Sequence, residues 1–243
     1  SFLRYGSATV PGIASGAAIT GIQPSMSAVP STATLSGDYF LAPGDVLTTV
    51  HAGTTFGAGN TILDGESITY PGYTATSGSF SLATPQIPGA HAAALFEVQN
   101  PSQPGVLYFG RTGLVGNESN VKVTLPPVPL VLTPPAGSTL THETLFAWTG
   151  PQQAVSMLVV VDDSGPGPSL AIVQAGEATT VPAIPEAGFD FIPGDAYAGI
   201  AFMVGPHATV DDAAGTGGLL APAGTDAFVG IGEAFIVVAP PQP

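Results

Sequence analysis

The chain of 243 residues carries 32 glycines, 25 prolines and no cysteine, and its only basic residues are Arg4, Arg111 and Lys122 against 17 acids, a net charge of −14. So few cations exclude nucleic-acid binding, which needs clustered positive charge, and attraction to anionic membrane surfaces. The missing cysteines exclude disulfides, thiolate catalysis and Cys-based zinc sites.

An apolar fraction of 44% still supplies a core, so glycine and proline read as punctuation between many short strands. No segment shows a convincing helical apolar stripe, and an all-β chain with almost no helix is expected. No run approaches the ~18 apolar residues of a transmembrane helix, so no membrane insertion is expected.

Residues 1–30 are Ala-, Gly- and Ser-rich and read as an extended arm of an N-terminal β domain, 1–125. Ser1 in place of Met fits either a mature product after signal-peptide removal or a trimmed chain, and an extracellular or cell-surface location is expected. Pro43-Gly44-Asp45 marks a tight turn, and Asp64-Gly65 between β-favouring residues signals a hairpin. Ala93 to Val98 and Val106 to Phe109 read as strands. Val121, Val123 and Leu125 alternate with Lys122 and Thr124, as in a half-buried strand. Asn117-Glu118-Ser119 fits a glycosylation sequon, which matters only in a pathway that glycosylates.

Prolines at 126, 127 and 129 cannot join a central ladder and keep the chain extended, so 126–129 reads as a linker. Beyond it, 130–243 reads as a second β-sandwich. Its strands are Leu130–Leu132, Thr144–Trp148, Ser156–Val161, Leu170–Gln174, Thr179–Val181, Asp195–Val204 and Ala234–Val238, separated by turn signals.

Within this half, "LTPPAGSTLTHETLFAWTG", "SMLVVVDD" and "IPGDAYAGIAF" resemble a bacterial secreted fibronectin type III or related immunoglobulin-like module. The resemblance implies that Trp148 is buried at the end of the second strand. It also implies that Pro193 and Gly194 introduce a late strand whose Tyr197 closes a corner. A type II turn needs the fixed φ of Pro193 and a positive φ at Gly194. In the similar turn of the first half, Leu47 stands where that tyrosine would be. The fold hosts many unrelated functions.

Met157–Val161, Ala198–Val204 and Phe235–Val238 are apolar on both faces, whereas a lone sandwich shows water one polar face. Either the two domains cover each other, or small faces stay exposed, or neighbouring copies cover them. Scarce lysine also removes the usual protection of sheet edges. The reading that follows is a non-catalytic structural subunit of a filament, sheath or surface layer. It is expected to be a homo-oligomer or polymer formed by strand or face complementation. Its contact elements would be the N-terminal arm and Ala234, Phe235, Ile236, Val237 and Val238. The alternative is a monomeric cell-surface carbohydrate-binding or adhesive module presenting Tyr70 and Tyr73.

Asp162-Asp163 and Asp211-Asp212 are weak candidate calcium ligands, since no Asp-x-Asp-x-Asp-Gly loop occurs, and solvated acidic turns account for them better. No other cofactor is expected. His51, His91, His142 and His207 are dispersed. No nucleophile elbow, phosphate-binding loop or dinucleotide fingerprint occurs, so no catalytic residue is assigned and no enzyme is expected.

Overall fold

The computed structural model describes residues 4–5, 18, 20–23, 25, 27–28, 31–56, 61–73, 75–102, 105–165, 167, 169–214, 226–232 and 235–238. Arg4–Tyr5 (β1) and Ser27–Ala28 (β2) form a short antiparallel pair. The first half then runs through Thr32–Phe40 (β3), Val46–Phe56 (β4), Thr61–Tyr73 (β5), Ser77–Pro85 (β6), Ala90–Gln99 (β7), Gly105–Leu114 (β8) and Val121–Thr124 (β9). The second half comprises Leu130–Thr133 (β10), Leu145–Thr149 (β11), Val155–Asp162 (β12), Leu170–Gln174 (β13), Ala178–Thr180 (β14), Ala196–Gly205 (β15), Asp226–Gly232 (β16) and Phe235–Val238 (β17). Helix among the described residues is limited to Val210–Ala214 (α1) and a 3-10 turn at Pro185–Ala187. The fold is an all-β sandwich.

In the first half, β6-β3-β9 faces β8-β7-β4-β5. Alternation puts Leu35, Phe80, Leu82 and Val123 from one layer against Val50, Phe96, Val98 and Phe109 from the other. Phe80 meets Phe96 edge to face at 5.4 Å. β9 alternates buried valines with exposed Lys122 and Thr124 and pairs with β3 in parallel. The Asp64-Gly65 signal makes no turn. There β5 carries one residue more than β4 between the His51↔Ser67 and Gly53↔Asp64 pairs, which is a bulge. Glycine inside a strand serves a bulge as readily as a turn, and β4 continues alongside it.

In the second half, β10-β11-β14 covers the inner face of β13, β12 and β15. Trp148, Phe146, Leu158, Val160, Tyr197, Met203 and Val237 fill the space between.

One sheet crosses both halves, in the order β13-β12-β15-β16-β8-β7-β4-β5, with β17 also on β15. The junction is β16. It pairs with β15 from Phe202↔Ile231 to Gly205↔Phe228, and with β8 from Asp226↔Arg111 to Gly232↔Gly105. Arg111 clamps this ladder with a bidentate pair to Asp226 and donates to Lys122 O at 2.6 Å. Residues 126–129 pass beneath the junction. Val128 is buried in the first core, and its N–H donates to Asp45 Oδ2 at 3.0 Å. Gly230 leaves the room that Pro129 occupies: a Cβ there would lie 2.3 Å from Pro129 Cγ. Two cores thus flank residues 126–129, while a single sheet spans them.

Candidate interaction surface

β15 alternates without a break. Tyr197, Ala201 and Met203 point into the second core, and Ala198, Ile200, Phe202 and Val204 point the other way. Register carries that outward row across its neighbours. Met157 lies opposite Phe202, Val159 opposite Ile200 and Val161 opposite Ala198 on β12. Val173 and Ala171 follow on β13. On the other side Ile231 lies opposite Phe202, Val229 opposite Val204 and Tyr108 opposite Val229. None of these side chains belongs to either core, and Tyr108, Val173 and Val229 are 49%, 49% and 40% exposed. The two halves join edge to edge, so their outer faces lie side by side instead of covering each other. That removes mutual coverage as the reason for two-sided apolar strands. Only at β7 does the row turn charged, with Glu97 opposite Tyr108.

The two ends of the long sheet differ. Among the described residues β13 pairs only with β12, in unbroken register, and its Leu-Ala-Ile-Val-Gln carries no charge and no proline. Nothing in that sequence deters strand addition. β5 contains Asp64, Glu66 and Pro71, and the Glu66 carboxylate accepts the Ala83 N–H of β6.

The expected contact strand is used inside its own chain. Phe235–Val238 pairs with β15 along Ala196–Gly199. At Val238 both backbone groups are also engaged on the other side: Leu140 N donates to Val238 O at 2.9 Å and Val238 N to Ser138 O at 3.1 Å. Val237 is fully buried. Ala234 and most of the N-terminal arm lie outside the described residues.

The turn residues form matched units. Asp195 N donates to Ile192 O at 3.1 Å with Gly194 at φ 88°, and Asp45 N donates to Ala42 O at 3.2 Å with Gly44 at φ 90°. Pro193 and Pro43 hold the preceding position in each. Tyr197 is buried, and its hydroxyl accepts the Ile192 N–H at 2.8 Å, tying the strand back to the turn. Leu47 is buried without such a tie. In the first half Asp45 itself makes the long-range contacts, accepting Val128 N and Asn100 Nδ2. Burial pushes its carboxyl above the usual range, against the pull of those two bonds. Trp148 is buried and its indole N–H donates to Ser156 Oγ at 3.1 Å.

Of the calcium candidates, the Asp162 carboxylate is engaged locally. Asp162 Oδ1 accepts Ser164 N at 2.8 Å, and the Asp163 N–H donates to Ala196 O at 2.8 Å. Asp211 and Asp212 open the short α1, where Thr209 Oγ1 accepts Asp212 N at 3.1 Å. No group of three or more His, Asp or Glu converges to hold a metal among the described residues. Tyr70 donates to Ser79 O at 3.2 Å and sets its ring edge-on to Tyr39, so it packs on its own sheets. The side chain of Tyr73 lies outside the described residues. His142 bonds Val181 O at 3.0 Å and Asp190 Oδ1 at 2.9 Å and stacks on Phe191. A cleft of about 450 Å³ between Ile87, Pro88, Leu114 and Val115 includes His91 and Gln86 in its lining but no carboxylate.

No protein-family model, curated protein or solved structure matches the chain. The junction strand β16 escaped the sequence reading. Its signal was the alternation of Ala227, Val229 and Ile231 with Phe228 and two glycines, short enough to pass for a loop.

Proposed function

We propose that this protein is a non-catalytic structural subunit that associates with its own copies through sheet surfaces, in an extracellular assembly such as a filament, sheath or surface layer. The observation that carries the reading is the uncharged outer face of β12, β15 and β16 in a chain of net charge −14. Contiguous apolar surface of this kind on a soluble domain marks a contact site. The unprotected β13 edge adds a second route to association. A chain with three basic residues also offers few cleavage sites to trypsin-like proteases, which suits an external polymer.

We read residues 130–243 as a fibronectin type III or immunoglobulin-like module. A three-stranded layer faces β13, β12, β15 and β17, with Trp148 and Tyr197 buried between them, which supports it. Of the two tyrosines of the carbohydrate-binding alternative, Tyr70 is engaged with Ser79 and Tyr39.

Sedimentation velocity and light scattering over a range of protein and salt concentrations test the assembly. Species well above 24.1 kDa that grow with concentration are expected. A single 24.1 kDa species under all conditions refutes self-association.

A further inference from the structure

We propose that the outer face formed by β13, β12, β15, β16 and β8 packs against the same face of a second copy about a two-fold axis, so that a symmetric dimer is the building unit. This rests on the self-association reading and adds the surface and the symmetry. Charge selects the occupant. Met157, Val159, Ile200, Phe202, Val229 and Tyr108 form rows without a formal charge until Glu97 is reached on β7. Each copy carries −14, so elsewhere two copies set acid against acid, and here they meet without that repulsion. A foreign partner recognised by opposite charge would be drawn to the acidic loops instead.

Area supports the same choice. Five strands at the usual spacing, several residues deep, give a footprint of about 500 Å². Standing side chains raise the accessible area above that projection, towards the roughly 800 Å² per partner of a stable interface. Two like faces are also self-complementary, as a two-fold axis requires. Packed sheets in general stack at about 10 Å with a small rotation, and each half of this protein already packs two layers around a core.

The test is Phe202→Lys, compared with wild type by sedimentation velocity, with far-ultraviolet circular dichroism and Trp148 fluorescence reporting the fold. Val229→Lys, at a position 40% exposed, serves as a second variant should the first unfold. A rise of about 30-fold or more in the dimer dissociation constant, with the fold retained, is expected for a central contact. The chain has no cysteine, so Ile200→Cys adds one thiol, expected to resist maleimide in concentrated protein and to react on dilution. Wild type that assembles while both lysine variants assemble equally well overturns the face and leaves self-association standing. Wild type that stays monomeric at every concentration overturns both. A monomer that floats with phosphatidylcholine vesicles overturns the second copy as occupant.

Discussion

Gly230→Ala tests how the two halves are joined. Gly230 is paired with Met203 of β15 on one side and Leu107 of β8 on the other, and it faces Pro129. An added Cβ would lie 2.3 Å from Pro129 Cγ and 2.8 Å from Cδ. Carbon atoms rest at about 3.5–4.0 Å, so the ring has to retreat by roughly 1 Å. It has little freedom to do so. Pro129 is buried, its ring is stiff, and the preceding N–H is held by Asp45. Overpacking of this sort costs about 1–3 kcal/mol, offset by about 0.4–1 kcal/mol because alanine reduces the freedom of the unfolded chain. The net loss is about 1–2 kcal/mol, or roughly 3–6 °C in Tm for a chain of this length. Urea unfolding followed by circular dichroism and by the fluorescence of Trp148, the chain's single tryptophan, measures it. Gly165→Ala is the control, since a Cβ there meets nothing within 4 Å. Equal midpoints for Gly230→Ala and wild type would refute the claim that the connector presses on β16.

Tyr197→Phe leaves the ring in place but removes the acceptor for Ile192 N–H, and a loss of about 1 kcal/mol is expected in the same unfolding assay. Arg111→Ala removes the clamp between β8 and β16. Its side chain and that of Asp226 are 27% and 37% exposed, so solvent screening limits the loss to about 1 kcal/mol, shrinking as salt rises, as melts at low and high ionic strength check. The His142 hydrogen bond, with that of Phe191 N, holds the Asp190 carboxyl below its ordinary value. Its folded pKa is therefore lower than its unfolded one. The stabilisation is complete above the unfolded value and is lost as pH falls through the folded one. Thermal melts of Asp190→Asn should differ from wild type near about pH 6 and converge with it at the acid end, and a constant difference would refute the linkage.

Local chemistry was legible and long-range pairing was not. A Pro-Gly pair dictates its own dihedral angles, and the turns at Gly44 and Gly194 follow from two residues each. Trp148 sits in a strand with apolar neighbours, so burial was its natural state. Asp64-Gly65 carried the local signature of a hairpin, but the outcome depended on whether β4 continued beside it, which those two residues do not encode. The pairing of β16 with β8 joins Arg111 to Asp226 across 115 positions, and no local period announces such a partner. The apolar outer strands were visible in the sequence. Their exposure depended on whether the halves met face to face or edge to edge, and that is a property of β16, one of the strands not legible in the sequence.

Joining two sandwiches through a shared sheet has a further physical consequence. The junction uses up one edge of each half, β8 and β16, as ladder partners. The outer surface then becomes one long face with a gradient along it. Over β7, β4 and β5 the outward rows are Glu97, Thr49 and Thr69, and Leu95, His51 and Ser67. Over β8 to β13 they are aliphatic and aromatic. Water solvates the first region, and burying the second gains about 25 cal/mol per Å². The halves are therefore unequal: under the proposed self-association the C-terminal one would carry the contact face, and the N-terminal one forms a polar extension in continuous register with it. Two copies packed on the apolar end alone would project both polar ends outward, which limits growth on that face to a pair. In the proposed assembly, growth beyond the pair would fall to the uncharged β13 edge, since the β5 Glu66 carboxylate accepts from β6 and β5 carries a proline.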